Sequence, residues 1–184
     1  MLAPREGEFC APAFRKHSRL GYETVANDPL HPWIEDILEN ANERAGQSMS
    51  TEHEGVGMQP DLHDDAVRRR LGPSGWKAVR RIMRIWQVSD ATSRRLLGFG
   101  PAEDLDMVDP KRLGEEQMLR ISYLLGIYKG LHIYWGKAIA DKWIQCPNMS
   151  AMFGGRSPLA FMADGGMDAL RDVRRLLDAW CVGN

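Results

Sequence analysis

The segment Glu115–Trp135 constrains this chain's fold more than any other. Met118, Ile121, Leu124, Leu125, Tyr128, Leu131, Ile133 and Trp135 leave a helix apolar nearly all round. Such a helix belongs at the centre of a fold, enclosed by other elements. Gly126 and Gly130 lie one turn apart on it and allow a neighbour to come close. The most apolar run, Ile121–Trp135, is interrupted by Lys129 and His132 and is too short to span a bilayer. A buried hub surrounded by helices is therefore expected.

The flanking sequence supplies those helices. Asp61, His63, Asp64 and Asp65 read as a solvated helix start with acidic first-turn residues. Pro73 and Ser74 open a helix that runs to Gln87, with Trp76, Val79, Met83 and Trp86 on its apolar face and Ile82 alongside. Ser89 is suited to N-cap a helix Asp90–Leu97, which Gly98 stops. Gly100-Pro101 begins a short third helix to about Val108, ended by Asp109-Pro110. Past the hub, Lys137–Gln145 is a short helix, and Ser157-Pro158 form the cap and first turn of the next. Gly165-Gly166 break the chain before a last helix that buries Leu170, Val173, Leu177 and Trp180. With no convincing strand and no repeat, the class is all-α.

A chain of 184 residues is one domain with an extension, or at most two small domains. Its parts are an acidic extension over 1–60, a helical region over 61–113 and a second over 114–184. Within the extension, Pro32–Ala45 is a helical candidate, with Trp33, Ile34, Ile37, Leu38 and Ala41 at helical spacing. Met49-Ser50-Thr51 also resembles a natural start. Cys10, Cys146 and Cys181 have no metal-site or disulfide-framework spacing and are expected as reduced thiols. MLAPREGEFCAPAF lacks the cationic and apolar regions of a secretory signal. The cytoplasm is the expected address.

The net charge of −1 hides a segregation. Residues 1–65 hold thirteen acidic side chains against five basic ones, whereas residues 66–97 hold nine basic ones against Asp90 alone. Lys77, Arg80, Arg81 and Arg84 fall at i, i+3, i+4 and i+7, on the face opposite the tryptophans. Arg94 and Arg95 add two cations on the next helix. Clustered like charge is relieved by an anionic partner such as DNA phosphate. A solvated face, or an interface with an acidic partner, explains the same residues.

Near the C-terminus, Trp143 is most simply a core anchor. Pro147 ends a helix, and Asn148 can bond the freed backbone groups of the turn. Gly154 and Gly155 permit positive φ and the close approach of a second backbone. Ser157-Pro158-Leu159 launch the following helix.

This series, with Trp143, Pro147, Asn148, Phe153, Gly154, Gly155, Ser157, Pro158, Leu159, Gly165, Val173 and Leu176 at their spacings, resembles the toxin-binding domain of the Xre/MbcA/ParS antitoxins. The resemblance spans about residues 66–182. It implies an antitoxin that neutralises a cognate RES-like toxin, an enzyme that destroys NAD, by sitting over its entrance. It implies toxin contacts at Asn148, Gly154, Gly155, Arg156, Ser157, Pro158, Arg171, Arg174, Arg175 and Trp180, with the tail Cys181–Asn184 reaching toward the cofactor pocket. Buried Arg and Trp are the usual hot spots of interfaces. Trp180 also continues the apolar stripe of its helix and reads equally as core.

The layout over 61–113 resembles the Xre-like helix-turn-helix that precedes the toxin-binding part in this family. That implies operator DNA held by Lys77, Arg80, Arg81, Arg84, Arg94 and Arg95, with a homodimer matching a palindromic site. The expected base-reading helix, Pro101–Val108, departs from the pattern: Glu103, Asp104 and Asp106 are repelled by phosphates, and it has no Arg, Lys, Asn or Gln. Either the basic block grips phosphates with weak sequence preference, or the motif has become a scaffold.

Catalytic patterns are missing from the sequence. His17, His31, His53, His63 and His132 show no HExxH or HxH spacing, GGRSPL lacks the Lys-Ser/Thr of a P-loop, and no nucleophile elbow occurs. No enzyme activity, cofactor or metal is expected. A transcription regulator, or a protein-interaction domain without a toxin partner, is the alternative reading.

Overall fold

The computed structural model describes residues 60–135 and 137–182. The extension over 1–59, with its expected helix at 32–45, and the last two residues of the tail lie outside them. Among the described residues five helices follow one another: α1 Asp65–Ile85, α2 Asp90–Leu97, α3 Glu115–Trp135, α4 Lys137–Trp143 and α5 Pro158–Val182, with a 3-10 turn at Pro110–Arg112. Among the described residues there is no strand, and the all-α class holds.

α3 is the hub. It packs against α1, α2, α4 and α5, and Met118, Ile121, Leu124, Ile127, Tyr128 and Leu131 are all buried on it. Burial of large apolar side chains contributes about 1.5–3 kcal/mol each, so these six side chains are a large stabilising contribution. Its two glycines receive α5. The Leu177 side chain lies against Gly130, and the Arg174 guanidinium occupies the space above Gly126.

α1 corrects the sequence reading. The expected helix start at Pro73 and Ser74 is not a start, because one helix runs from Asp65 through Pro73 to Ile85. Asp64 caps it, accepting from the Ala66 amide at 2.8 Å. A proline disfavours helical geometry at the preceding residue partly by clashing with its Cβ. That residue is Gly72, which has none, so the helix continues.

α2 follows its expected limits. The Ser89 hydroxyl accepts from the Thr92 amide at 3.2 Å, and Gly98 ends the helix at φ 76°. The expected third helix over Pro101–Val108 does not form; the segment is a series of turns. Its carboxylates bond their own backbone: Glu103 accepts from the Gly100 amide, and Asp104 accepts from the Asp106 amide at 2.9 Å. Acidic side chains compete with helical bonding in this way. Leu105, only 3% exposed, anchors the segment in the core.

α4 ends at Trp143, two residues before the expected Gln145. In α5 the Ser157 hydroxyl accepts from the Ala160 amide at 3.2 Å. Gly166, at φ 61° and ψ −139°, kinks the helix at the expected break.

Candidate functional site

The loop between α4 and α5 is held at its neck by its own backbone. The Asn148 amide donates to the Arg156 carbonyl at 3.1 Å, and the Gly155 amide donates to the Asn148 carbonyl at 2.9 Å. The Asn148 side chain accepts from the Ser150 amide at 2.9 Å, as its sequence context suggests. Gly154 and Gly155 take φ of 57° and 84°, which glycine adopts without steric cost. A further bond, from the Leu159 amide to the Ile144 carbonyl at 2.9 Å, ties the start of α5 to the end of α4.

Beneath the loop, Trp143 and Phe153 are buried and meet edge to face at 5.8 Å. The loop thus stands on a packed base and leaves Met149 80% exposed at its tip. The Arg156 guanidinium lies 5.2 Å from the centre of the Phe161 ring and 3.8 Å from the Asp164 carboxylate, with its side chain about half exposed. Pro158 is buried, and Asn148, Gly154, Gly155 and Ser157 shape the loop with turn and cap geometry.

The remaining expected contact residues lie beyond the Gly166 kink. Arg171 pairs with Asp168 at 2.9 Å. Its guanidinium is held more firmly protonated than usual by a hydrogen bond with the Tyr123 side chain and by the Asp168 charge. Arg174 is bonded to Asp178 at 2.9 Å while resting over Gly126, so it is partly a packing residue. Arg175 is exposed and makes no ion pair among the described residues. Trp180 is half-buried in a group of rings with Tyr134, Trp135 and Trp143 at 5.4, 5.1 and 6.0 Å.

The six expected cations of the basic block divide into two sets. Lys77, Arg81 and Arg84 are exposed along α1. Arg80 is drawn aside, 2.5 Å from the Asp106 carboxylate and against the Trp76 ring. Arg94 is half-buried, and Arg95 pairs with Asp164 at 2.8 Å. The acidic turn after α2 therefore neutralises part of the basic face. No helix at 101–108 stands beside it to enter a groove.

Two structural groups went unmarked in the sequence reading. Arg120, 9% exposed on the apolar hub, pairs with Glu116 at 2.9 Å and donates to the Arg95 and Leu96 carbonyls at 3.3 and 3.2 Å. A lone arginine in an otherwise apolar helix, with a glutamate one turn before it, was the available signal. Gln145 donates to the Trp86 carbonyl and steadies the turn after α1, where Gln87 takes φ 51°. Nothing in its sequence context marks that contact.

Between α3 and α4, the His132 ring stacks on Tyr128 at 4.0 Å. Its Nδ1 is 2.8 Å from the Tyr128 carbonyl, and its Nε2 is 3.3 Å from Asp141. Burial, and then the Asp141 charge, push the Tyr128 hydroxyl well above the ordinary tyrosine range. Near the start of α1, His63 is 3.1 Å from Glu115, while Asp61 and Asp64 accept from backbone amides. Among the described residues, no three His, Cys, Asp or Glu side chains converge as a metal site would require. No helix there is long and apolar enough to cross a membrane.

No protein-family model matches the chain, and comparison with curated proteins and with solved structures gives no match either.

Proposed function

We propose that this chain is a protein-binding inhibitor, an antitoxin of the Xre/MbcA/ParS type that covers the entrance of a RES-like, NAD-destroying toxin. The observation that carries the reading is the preformed loop Asn148–Arg156. Two backbone bonds close its neck, two aromatic rings support it, and Met149 and Arg156 project from it. A loop already ordered before contact loses little conformational entropy on binding, and that favours a tight, stoichiometric complex. An exposed apolar tip beside an arginine also has the chemistry of an interface anchor. Arg171, Arg175 and Trp180 extend the contact along α5, and the chain carries no catalytic role.

The same reading gives α1 contact with operator phosphates through Lys77, Arg81 and Arg84, in a homodimer. Contact of that kind has weak sequence preference, because phosphates carry no base information.

Co-expression with a RES-domain protein encoded by the neighbouring gene tests the proposal. The expected result is a complex that survives purification, with cellular NAD restored. No complex and unchanged NAD loss overturn it. The exposed cations of α1 favour a second reading, a nucleic-acid-binding regulator without a toxin. That reading expects salt-dependent polyanion binding and no effect on NAD.

A further inference from the structure

Residues 66–85 carry seven cationic side chains and no carboxylate. Arg68 and Arg69 pair with Asp65, and Arg80 pairs with Asp106. Lys77 and Arg84 are exposed and make no ion pair among the described residues. They lie two turns apart, about 10 Å along the axis. Arg81 lies exposed between them. Self-repulsion along such a face favours an anionic cover.

The chain itself holds a suitable anion. Residues 32–59 contain Glu35, Asp36, Glu39, Glu43, Glu52 and Glu54 against Arg44 alone. This segment ends one residue before Pro60, close to the first turn of α1. We propose that the acidic segment 32–59 docks on the Lys77–Arg84 face of α1 in the same chain, as an internal polyanion that phosphate must displace.

Reach permits this. From Asp65 to Arg84, α1 covers about 28 Å, whereas the stretch from Glu43 to Pro60 spans up to about 55 Å when extended. Exposed ion pairs are weak one at a time. A tether of this length places the partners at an effective concentration on the order of millimolar, so several weak pairs suffice. Screening over about 8 Å at physiological ionic strength makes the contact open as salt rises. The inference rests on the charge of α1 and is independent of the antitoxin reading.

The test is zero-length carbodiimide cross-linking of the full chain, with peptides mapped by mass spectrometry. An equal mixture of 15N-labelled and unlabelled chain separates links within a chain from links between chains. The expected product joins Lys77 to a carboxylate of Glu35–Glu54 within one chain, and is lost in 1 M salt. Links from Lys77 only to carboxylates after Pro60, or only between chains, overturn the proposal. The second of these outcomes would assign the face to a second copy.

A heparin-binding titration of the full chain gives an independent reading. A face open about one-tenth of the time binds about tenfold more weakly than a bare one. The Glu35→Gln/Glu39→Gln/Glu43→Gln chain is therefore expected to bind heparin several-fold more tightly in low salt. Equal affinity for the two chains overturns the proposal. A failure here leaves the toxin-neutralisation result untouched.

Discussion

Gly72 and Pro110 meet backbone to backbone: a Cβ on Gly72 would run into the Pro110 carbonyl oxygen. This contact seats the 3-10 turn Pro110–Arg112 on α1 and fixes where the chain re-enters the core at Leu113. A side chain at position 72 would also clash with the ring of Pro73. Gly72→Ala is therefore expected to destabilise the protein by about 1–3 kcal/mol, the range of overpacking that no rotamer change can relieve. Pro73 is exposed inside the helix, so Pro73→Ala is expected to be neutral or stabilising by up to about 3 kcal/mol. Urea denaturation of both variants checks the pair. An unchanged midpoint for Gly72→Ala would show that the two backbones can separate freely.

The same dipeptide shows where the sequence was legible and where it was not. Periodicity identified the hub α3 with both its ends, and the cap at Ser89, the stop at Gly98 and the break at Gly166 are set by local chemistry. Each depends on residues adjacent in the chain, so each could be read without tertiary information. Pro73 misled because its usual effect is cancelled by the glycine before it. Pro101–Val108 misled because Glu103 and Asp104 bond backbone amides two or three residues away instead of sustaining a helix. In the loop, Asn148, Gly154, Gly155 and Ser157 were legible as turn and cap residues. The exchange of Arg80 with Asp106 and of Arg95 with Asp164 was not, since it joins residues distant in sequence.

Arg120 is a buried polar link between the hub and the end of α2. Its guanidinium satisfies two carbonyls at the end of α2 and the Glu116 carboxylate. Arg120→Met keeps the apolar stem and removes all three bonds. A hydrogen bond to a charged group contributes about 1.5–3 kcal/mol, and a loss of that order is expected in thermal or urea denaturation. Arg120→Lys recovers only part of it, because an ammonium lacks the planar fork that reaches both groups. Full stability in the lysine variant would mean that charge alone suffices.

Tyr128 gives a prediction in alkali. Its folded-state hydroxyl titrates above its unfolded value, chiefly from burial and then from the Asp141 charge. A proton held more tightly by the folded state stabilises it below the unfolded value, about pH 10. The contribution falls as pH rises above that point, because the unfolded chain then releases the proton and the folded chain does not. Absorbance at 295 nm should show Tyr128 ionising only as the protein unfolds. Tyr128→Phe should remove that late step, and ionisation of all four tyrosines before unfolding would contradict the burial argument.

The proposed toxin-facing surface separates residues that act by contact from residues that act by packing. Arg156 and Arg175 are exposed, whereas Trp180 closes a group of aromatic rings with Tyr134, Trp135 and Trp143. Arg175→Glu should change stability by no more than about 0.5 kcal/mol, as exposed substitutions do. Arg156→Glu should change it by about 1 kcal/mol, since it replaces an exposed pairing with Asp164 by a repulsion. If they lie in the interface, neutralisation should weaken by tenfold or more, the size of a contribution above about 1.4 kcal/mol. Trp180→Ala should lower stability by roughly 3 kcal/mol or more if the ring is chiefly core. Measuring toxin affinity and urea stability on the same three variants distinguishes the roles. Intact neutralisation by both charge-reversed chains would move the contact away from the loop and α5, to the exposed side of α1 or to the turns at 101–108.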